Sequence, residues 1–229
     1  MENWREKLVE LQKSSNEGRA TMQDFFRLLL EMDAIARRDQ AKLLGSLNRK
    51  IFFQTHGVFP FFLGALLEIV VLALGIWAGI AATVANSWLL IIIAQTLVIV
   101  GLHPLSHIMA GWFMGIRFLG FYLNGPLKIE PGVKVDYETF LLRSPGERAL
   151  FFAAGVLGTL VGAFGVLAVG YLYPFPEFAR VLLFGIALFH LISEFSPFIF
   201  IGLGCPRFLG FSWYRGDLYK ALREWRLSS

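Results

Sequence analysis

Two histidines four residues apart, His103 and His107, stand in the segment GLHPLSHIMAGW, inside a long apolar run. On a helix this spacing puts both imidazoles on one face, a turn apart. Two rings placed so can hold one metal ion. The spacing recurs at His190 and Glu194 in a later apolar run, and Glu68 lies in an earlier one. An ionisable side chain within a bilayer costs at least about 2.5–3.5 kcal/mol on insertion scales, so each is a functional-site candidate by default.

The elements that must position these groups are membrane helices. The chain has 229 residues, 56% hydrophobic, with mean hydropathy +0.60. Only 17% are charged, below the roughly 25% of soluble domains. Apolar stretches near 58–82, 87–114, 148–173 and 178–203 each reach the roughly 20 residues needed to span. The expected fold is an all-α polytopic membrane protein of about four transmembrane helices, with a helical arm before them. The arm occupies 1–50, the membrane domain 51–204, and a cytoplasmic or interfacial segment 205–229. In the arm, Trp4, Leu8 and Leu11 form one stripe. SSNEG (14–18) is a break. Phe25, Leu28, Leu29, Met32 and Ile35 share a face in 22–44, so the arm reads as a helical hairpin.

Basic residues set the orientation. Arg37, Arg38, Lys42, Arg49 and Lys50 precede the first span. Arg117, Lys128, Lys134, Arg143 and Arg148 lie between the second and third. Arg207, Arg215, Lys220, Arg223 and Arg226 follow the fourth, whereas the opposite loops hold only Arg180. Both termini and the loop 115–147 are therefore expected on the cytoplasmic side. That loop, rich in Gly, Pro and aromatics, is expected to form short strands or to be partly re-entrant. The spread of basic residues suits topology and not a nucleic-acid partner. Cys205 stands alone, so no intrachain disulfide forms, and the polar first 50 residues lack the apolar core of a cleavable signal. Trp213, Tyr214 and Trp225 are candidate interfacial anchors.

Counting rise from the cytoplasmic ends puts His107, Glu194, Glu68, His103 and His190 at roughly 12, 14, 15, 18 and 20 Å depth. The candidate groups of three spans thus share a layer. Depth nominates Glu194, with His190, as the third metal ligand. Gly155, Gly158, Gly162 and Gly165 give the third span a small-residue stripe suited to close helix packing.

In its order of motifs, the chain resembles the site-2 protease family of intramembrane zinc metalloproteases. HPLSHIMAGWFMGIRF (103–118) is similar to the family's HExxH helix and the GIR that follows it. VDYETFLLRSPGERALFFAAGVLGTLVGAF (135–164) is similar to its loop and second helix, and FSPFIF (195–200) with RGDLYKAL (215–222) to its NPF…DGYY ending. The resemblance covers roughly 90–225. It implies one zinc per chain held by His103, His107 and Asp217. It also implies a transmembrane segment of another protein as partner or substrate, in a multi-pass protein of a prokaryotic cytoplasmic membrane. The family's general base follows its first histidine, and here that position is Pro104. Three readings follow. The first is a metal-binding pseudoprotease that holds a partner helix. The second is an active protease with Glu68 or Glu194 as substitute base. The third is a haem- or metal-ion-binding bundle. The arm is a candidate surface for homo-oligomers.

Overall fold

Helical periodicity runs through residues 22–44, yet the chain breaks twice within them. A computed structural model, which describes residues 3–124, 130–202, 207–208, 211–212 and 216–226, shows the cause. Helix α1 (Asn3–Asn16) ends where Gly18 takes a left-handed φ of +72°, which glycine adopts without steric cost. Thr21 caps α2 (Met22–Glu31). Its hydroxyl accepts from the Asp24 amide at 3.2 Å, and the Asp24 carboxylate accepts from the Thr21 amide at 3.1 Å. Each thereby satisfies a donor that a first turn leaves free. Met32 is then extended, and Asp33 caps α3 (Ala34–Asp39) by accepting from the Ala36 amide at 2.7 Å. This second cap resets the helical phase. Phe25, Leu28, Leu29 and Met32 are buried, but Ile35 is 73% exposed and leaves the expected stripe. With α4 (Ala41–Thr55), which buries Leu44, Leu47 and Ile51, the arm is four helices and not a hairpin.

The chain divides into two units: residues 1–61, 111–148 and 224–229, and residues 62–110 and 149–223. The fold is mostly helical, as expected, and the first unit adds a small antiparallel sheet, with two of its strands in the loop 115–147 where short strands were expected. Strands β1 (Val58–Phe59), β2 (Phe118–Asn124) and β3 (Glu130–Val135) lie in the order β1-β2-β3. Phe121 pairs with Phe59 on one side and Val133 on the other, and is fully buried. Gly120 has φ +155°, and a Cβ there would stand 2.5 Å from Val58 Cγ1, so glycine is what lets β1 close on β2. Lys128 lies outside the described residues. Helix α7 (Tyr137–Leu141) approaches α4 at Gly45, where a Cβ would meet the Glu138 backbone nitrogen at 2.7 Å.

Three of the basic residues read as topology determinants, Arg37, Lys134 and Arg148, are buried in this unit. Arg148, at the start of α8 (Pro145–Leu172), donates from Nε to Glu224 Oε2 at 2.8 Å. Arg37 brings Nη1 to 3.8 Å from the other oxygen of Glu224, which belongs to α10 (Asp217–Arg226). Burying these charges is tolerable only because Glu224 pairs with both guanidinium groups.

The second unit carries the apolar helices. Helices α5 (Phe61–Ala85), α6 (Trp88–Phe113), α8 and α9 (Glu177–Gly202) are long and apolar enough to cross a membrane. Phe62, Trp77, Ile80 and Val161 are each at least 60% exposed, an apolar surface that lipid covers and water would not. Inside, Gly75 sets α5 against Val98 of α6, and Gly101 sets α6 against Leu72 of α5. A Cβ at either would meet backbone nitrogen at 2.9 Å, the close approach that small residues give membrane helices. Gln95, which carried no weight in the sequence, is fully buried in α6. Its Nε2 donates to Ala163 O of α8 at 2.9 Å and Leu183 O of α9 at 3.1 Å. Cys205, Trp213 and Tyr214 fall outside the described residues. Trp225 is 61% exposed.

Lys134 of β3 is 4% exposed. Its Nζ donates to Asn48 Oδ1 and lies 4.0 Å from the Phe52 ring centroid. Burial pushes the amine down to about 7 from 10.5, against the pull of Asp136. Between those values the unfolded chain binds the extra proton, so stability rises with pH across that window. Thermal unfolding of the detergent-solubilised protein between pH 7 and 10 should show this rise. Lys134→Met should flatten it, and an unchanged slope in the variant would contradict the assignment.

Candidate metal centre

Helix α6 runs unbroken through Pro104, with His103 and His107 on either side of it. Proline has no N–H to donate and no proton to exchange. Each imidazole is instead fixed by a bond from α8. His107 Nδ1 lies 2.8 Å from the Phe151 carbonyl oxygen. A carbonyl only accepts, so Nδ1 carries the proton, and in the neutral ring Nε2 presents a lone pair. That Nε2 lies 2.9 Å from Asp217 Oδ2. His103 Nδ1 meets Thr159 Oγ1 at 2.9 Å, and its Nε2 is 3.3 Å from the same Asp217 oxygen.

Asp217 opens α10, beyond the apolar helices. Burial works against its charge. The Lys220 ammonium, His107 and hydrogen bonds with both rings outweigh that cost and hold the carboxyl well below its usual range. Lys220 Nζ donates to Oδ1 at 2.7 Å, leaving Oδ2 to the histidines. An ionised oxygen and a neutral imidazole nitrogen repel through facing lone pairs. A separation of 2.9 Å therefore requires a cation between them, either a proton on the ring or a metal ion.

The donor set fits a metal. The ligand atoms of His103, His107 and Asp217 all lie within 4.8 Å of one another. Tetrahedral zinc, with nitrogen and oxygen ligands at about 2.0–2.2 Å, sets neighbouring ligand atoms about 3.3 Å apart. Of the two histidine–carboxylate separations, 3.3 Å matches that value and 2.9 Å is shorter than it.

The third member of the set is thus Asp217. Glu194 and His190 of α9 lie near enough to His103 for their charges to interact, and Glu194 also feels Asp217, but neither belongs to the trio. Glu68 of α5 is 5% exposed and interacts with His103 through charge. Its Oε2 has no hydrogen-bond partner among the described residues. Two carboxylates therefore stand outside the trio without joining it.

The sequence reading missed three positioning groups, Thr159, the Phe151 carbonyl and Lys220, and read Gly155 for close helix packing. Gly155 belongs to the small-residue stripe of α8, and a Cβ there would lie 2.1 Å from His107 Nε2. Gly158 faces Ser106 in the same way, and Gly162 faces Val98 and Leu102. Gly165 faces open space and drops out of the stripe. Thr159 follows Gly155 by one helical turn, the signal that could have picked it out. Comparison of the chain with protein-family models, curated proteins and solved structures finds no match in any of the three.

Gly155→Ala should displace the His107 ring and weaken divalent-metal binding by about 10–100-fold, measured by titration against a chromogenic chelator. Gly165→Ala should leave affinity unchanged. Wild-type affinity in a folded Gly155→Ala protein would contradict this reading.

Proposed function

We propose that this chain is a site-2-protease-like intramembrane metal-binding protein whose proteolytic chemistry is degenerate. The observation that carries the reading is the convergence of two imidazole Nε2 atoms on one ionised carboxylate oxygen, on a helix with proline at the base position. In this reading His103, His107 and Asp217 hold one zinc ion, whose chemistry is to polarise an oxygen ligand and lower the pKa of bound water to about 7. Thr159 and the Phe151 carbonyl hold the rings in register, and Lys220 fixes the carboxylate. Pro104 neither takes nor gives a proton, so the roughly 10²–10⁴-fold contribution of a positioned base is missing from that place. His103, with 32% of its side chain exposed, remains reachable for a transmembrane segment of a partner protein. The excess of basic residues supports an arm, a loop 115–147 and a C-terminus on the cytoplasmic side of the membrane.

A second reading, an active protease with a relocated base, draws on one observation: Glu194 interacts through charge with both Asp217 and His103. Two rings facing one carboxylate give no comparable support to the haem reading.

Elemental mass spectrometry of the detergent-purified protein tests the proposal. About one zinc per chain is expected in wild type, none in His103→Ala/His107→Ala, and a clear loss in Asp217→Asn. Metal-free wild type, with variants folded as well as wild type, would refute it. A reconstituted single-span reporter should crosslink to wild type without being cut. Cleavage lost in Glu194→Gln or Glu68→Gln, with zinc retained, would establish the second reading instead.

A further inference from the structure

Helix α4 carries Lys42, Ser46, Arg49, Lys50 and Phe53 at spacings that place them on one face. With Glu138 of α7 they line an open groove of about 560 Å³. At Gly45 this wall packs directly on α7, whose backbone lies where a Cβ would be.

The groove is electropositive by position as well as by count. Lys42 is exposed and has no hydrogen-bond or ion-pair partner among the described residues. Lys50 donates to the neutral amide of Asn16 at 2.8 Å, which leaves its charge uncompensated. Arg49 pairs with Asp136 at 3.3 Å, but Arg117 competes for the same carboxylate at 3.5 Å. Glu138 is the one acidic group in the lining. Beside the cations, Phe53 is 47% exposed.

Only residues 56–60 separate α4 from α5, the first apolar helix. So short a segment spans about 20 Å at most. The C-terminal turns of α4 are therefore tethered near the point where the chain enters the bilayer. Clustered Lys and Arg next to a transmembrane helix attract acidic lipid headgroups. An exposed phenylalanine among them suits the boundary between headgroups and acyl chains.

We infer that the groove formed by Lys42, Ser46, Arg49, Lys50 and Phe53 binds the headgroup of an anionic phospholipid from the surrounding bilayer. The two lysines and Arg49 take the phosphate. Ser46 and Glu138 add hydrogen-bonding groups for a headgroup hydroxyl, so phosphatidylglycerol fits better than a headgroup with no hydroxyl. The inference stands independently of the metal centre.

The test is native mass spectrometry of the full chain, delipidated in mild detergent and titrated with short-chain phosphatidylglycerol or phosphatidylcholine. Phosphatidylglycerol should be retained about tenfold or more over phosphatidylcholine. Lys42→Gln/Lys50→Gln should lose that preference at an unchanged melting temperature, whereas Lys13→Gln/Arg38→Gln, which removes equal charge elsewhere, should keep it. Should the double variant melt early, Lys42→Gln alone, at an exposed and unpaired side chain, should still lose about threefold. Equal retention of the two lipids would overturn the inference, as would a preference that survives in the lysine variants. Displacement by millimolar inorganic phosphate would identify a free-anion site, and displacement by soluble polyglutamate an acidic protein segment. Either would overturn it too.

Discussion

One carboxylate oxygen organises the centre of this protein. Asp217 Oδ2 faces the Nε2 atoms of two histidines at 2.9 and 3.3 Å, and His107 is protonated on its far nitrogen by its bond to a carbonyl. Lone pair against lone pair is repulsive, so the arrangement persists only with a positive charge among the three atoms. Everything that brings the trio together serves that requirement. The pitch of α6 aligns the two rings, Thr159 of α8 orients the His103 ring, the Phe151 carbonyl of α8 fixes the His107 tautomer, and Lys220 holds Asp217 from behind. Bonds to the far nitrogen of a ligating histidine are what orient such ligands in metal sites generally.

Close packing makes the arrangement possible. Inside a membrane there is little hydrophobic drive between helices, and small residues and buried polar bonds replace it. Gly155 and Gly158 let α8 approach the histidine face of α6 so closely that side chains at either position would collide with His107 or Ser106. About two turns before His103, Gln95 ties α6 to the backbones of α8 and α9. The same stripe therefore packs the helices and leaves space for the His107 ring. Packing and site construction are one design here, not competing explanations of the glycines.

Much of this was legible in the residues. Long apolar runs announce the four helices because nothing else in a water-soluble chain needs them, and HxxxH announces the paired rings because helical pitch is fixed. Asp217 was legible only through resemblance, since depth counting assigns ligands along spans and this residue comes after them. Returning it to His103 and His107 takes a tertiary fold-back that no local period encodes. The sheet was half visible: residues 118–124 alternate poorly, and their strand character depends on β1, a two-residue segment far away in sequence. Ile35 illustrates the opposite failure. A stripe with correct spacing was cut by a cap at Asp33, and a hydrogen bond of 2.7 Å outweighed the periodicity. Arg37 and Arg148 look like ordinary cytoplasmic charges until Glu224, which lies far along the chain, is found between them.

We propose that a bound metal, and not a proton, joins His103, His107 and Asp217. X-ray absorption at the zinc edge of the purified protein tests it most directly. The expected spectrum has a first shell of nitrogen and oxygen at about 2.0–2.2 Å, four-coordinate, with outer-shell scattering from two imidazoles that vanishes in His103→Ala/His107→Ala. A protein with no bound zinc, or with zinc whose spectrum is unchanged by removing both histidines, would contradict it and leave a protonated histidine–aspartate pair in its place.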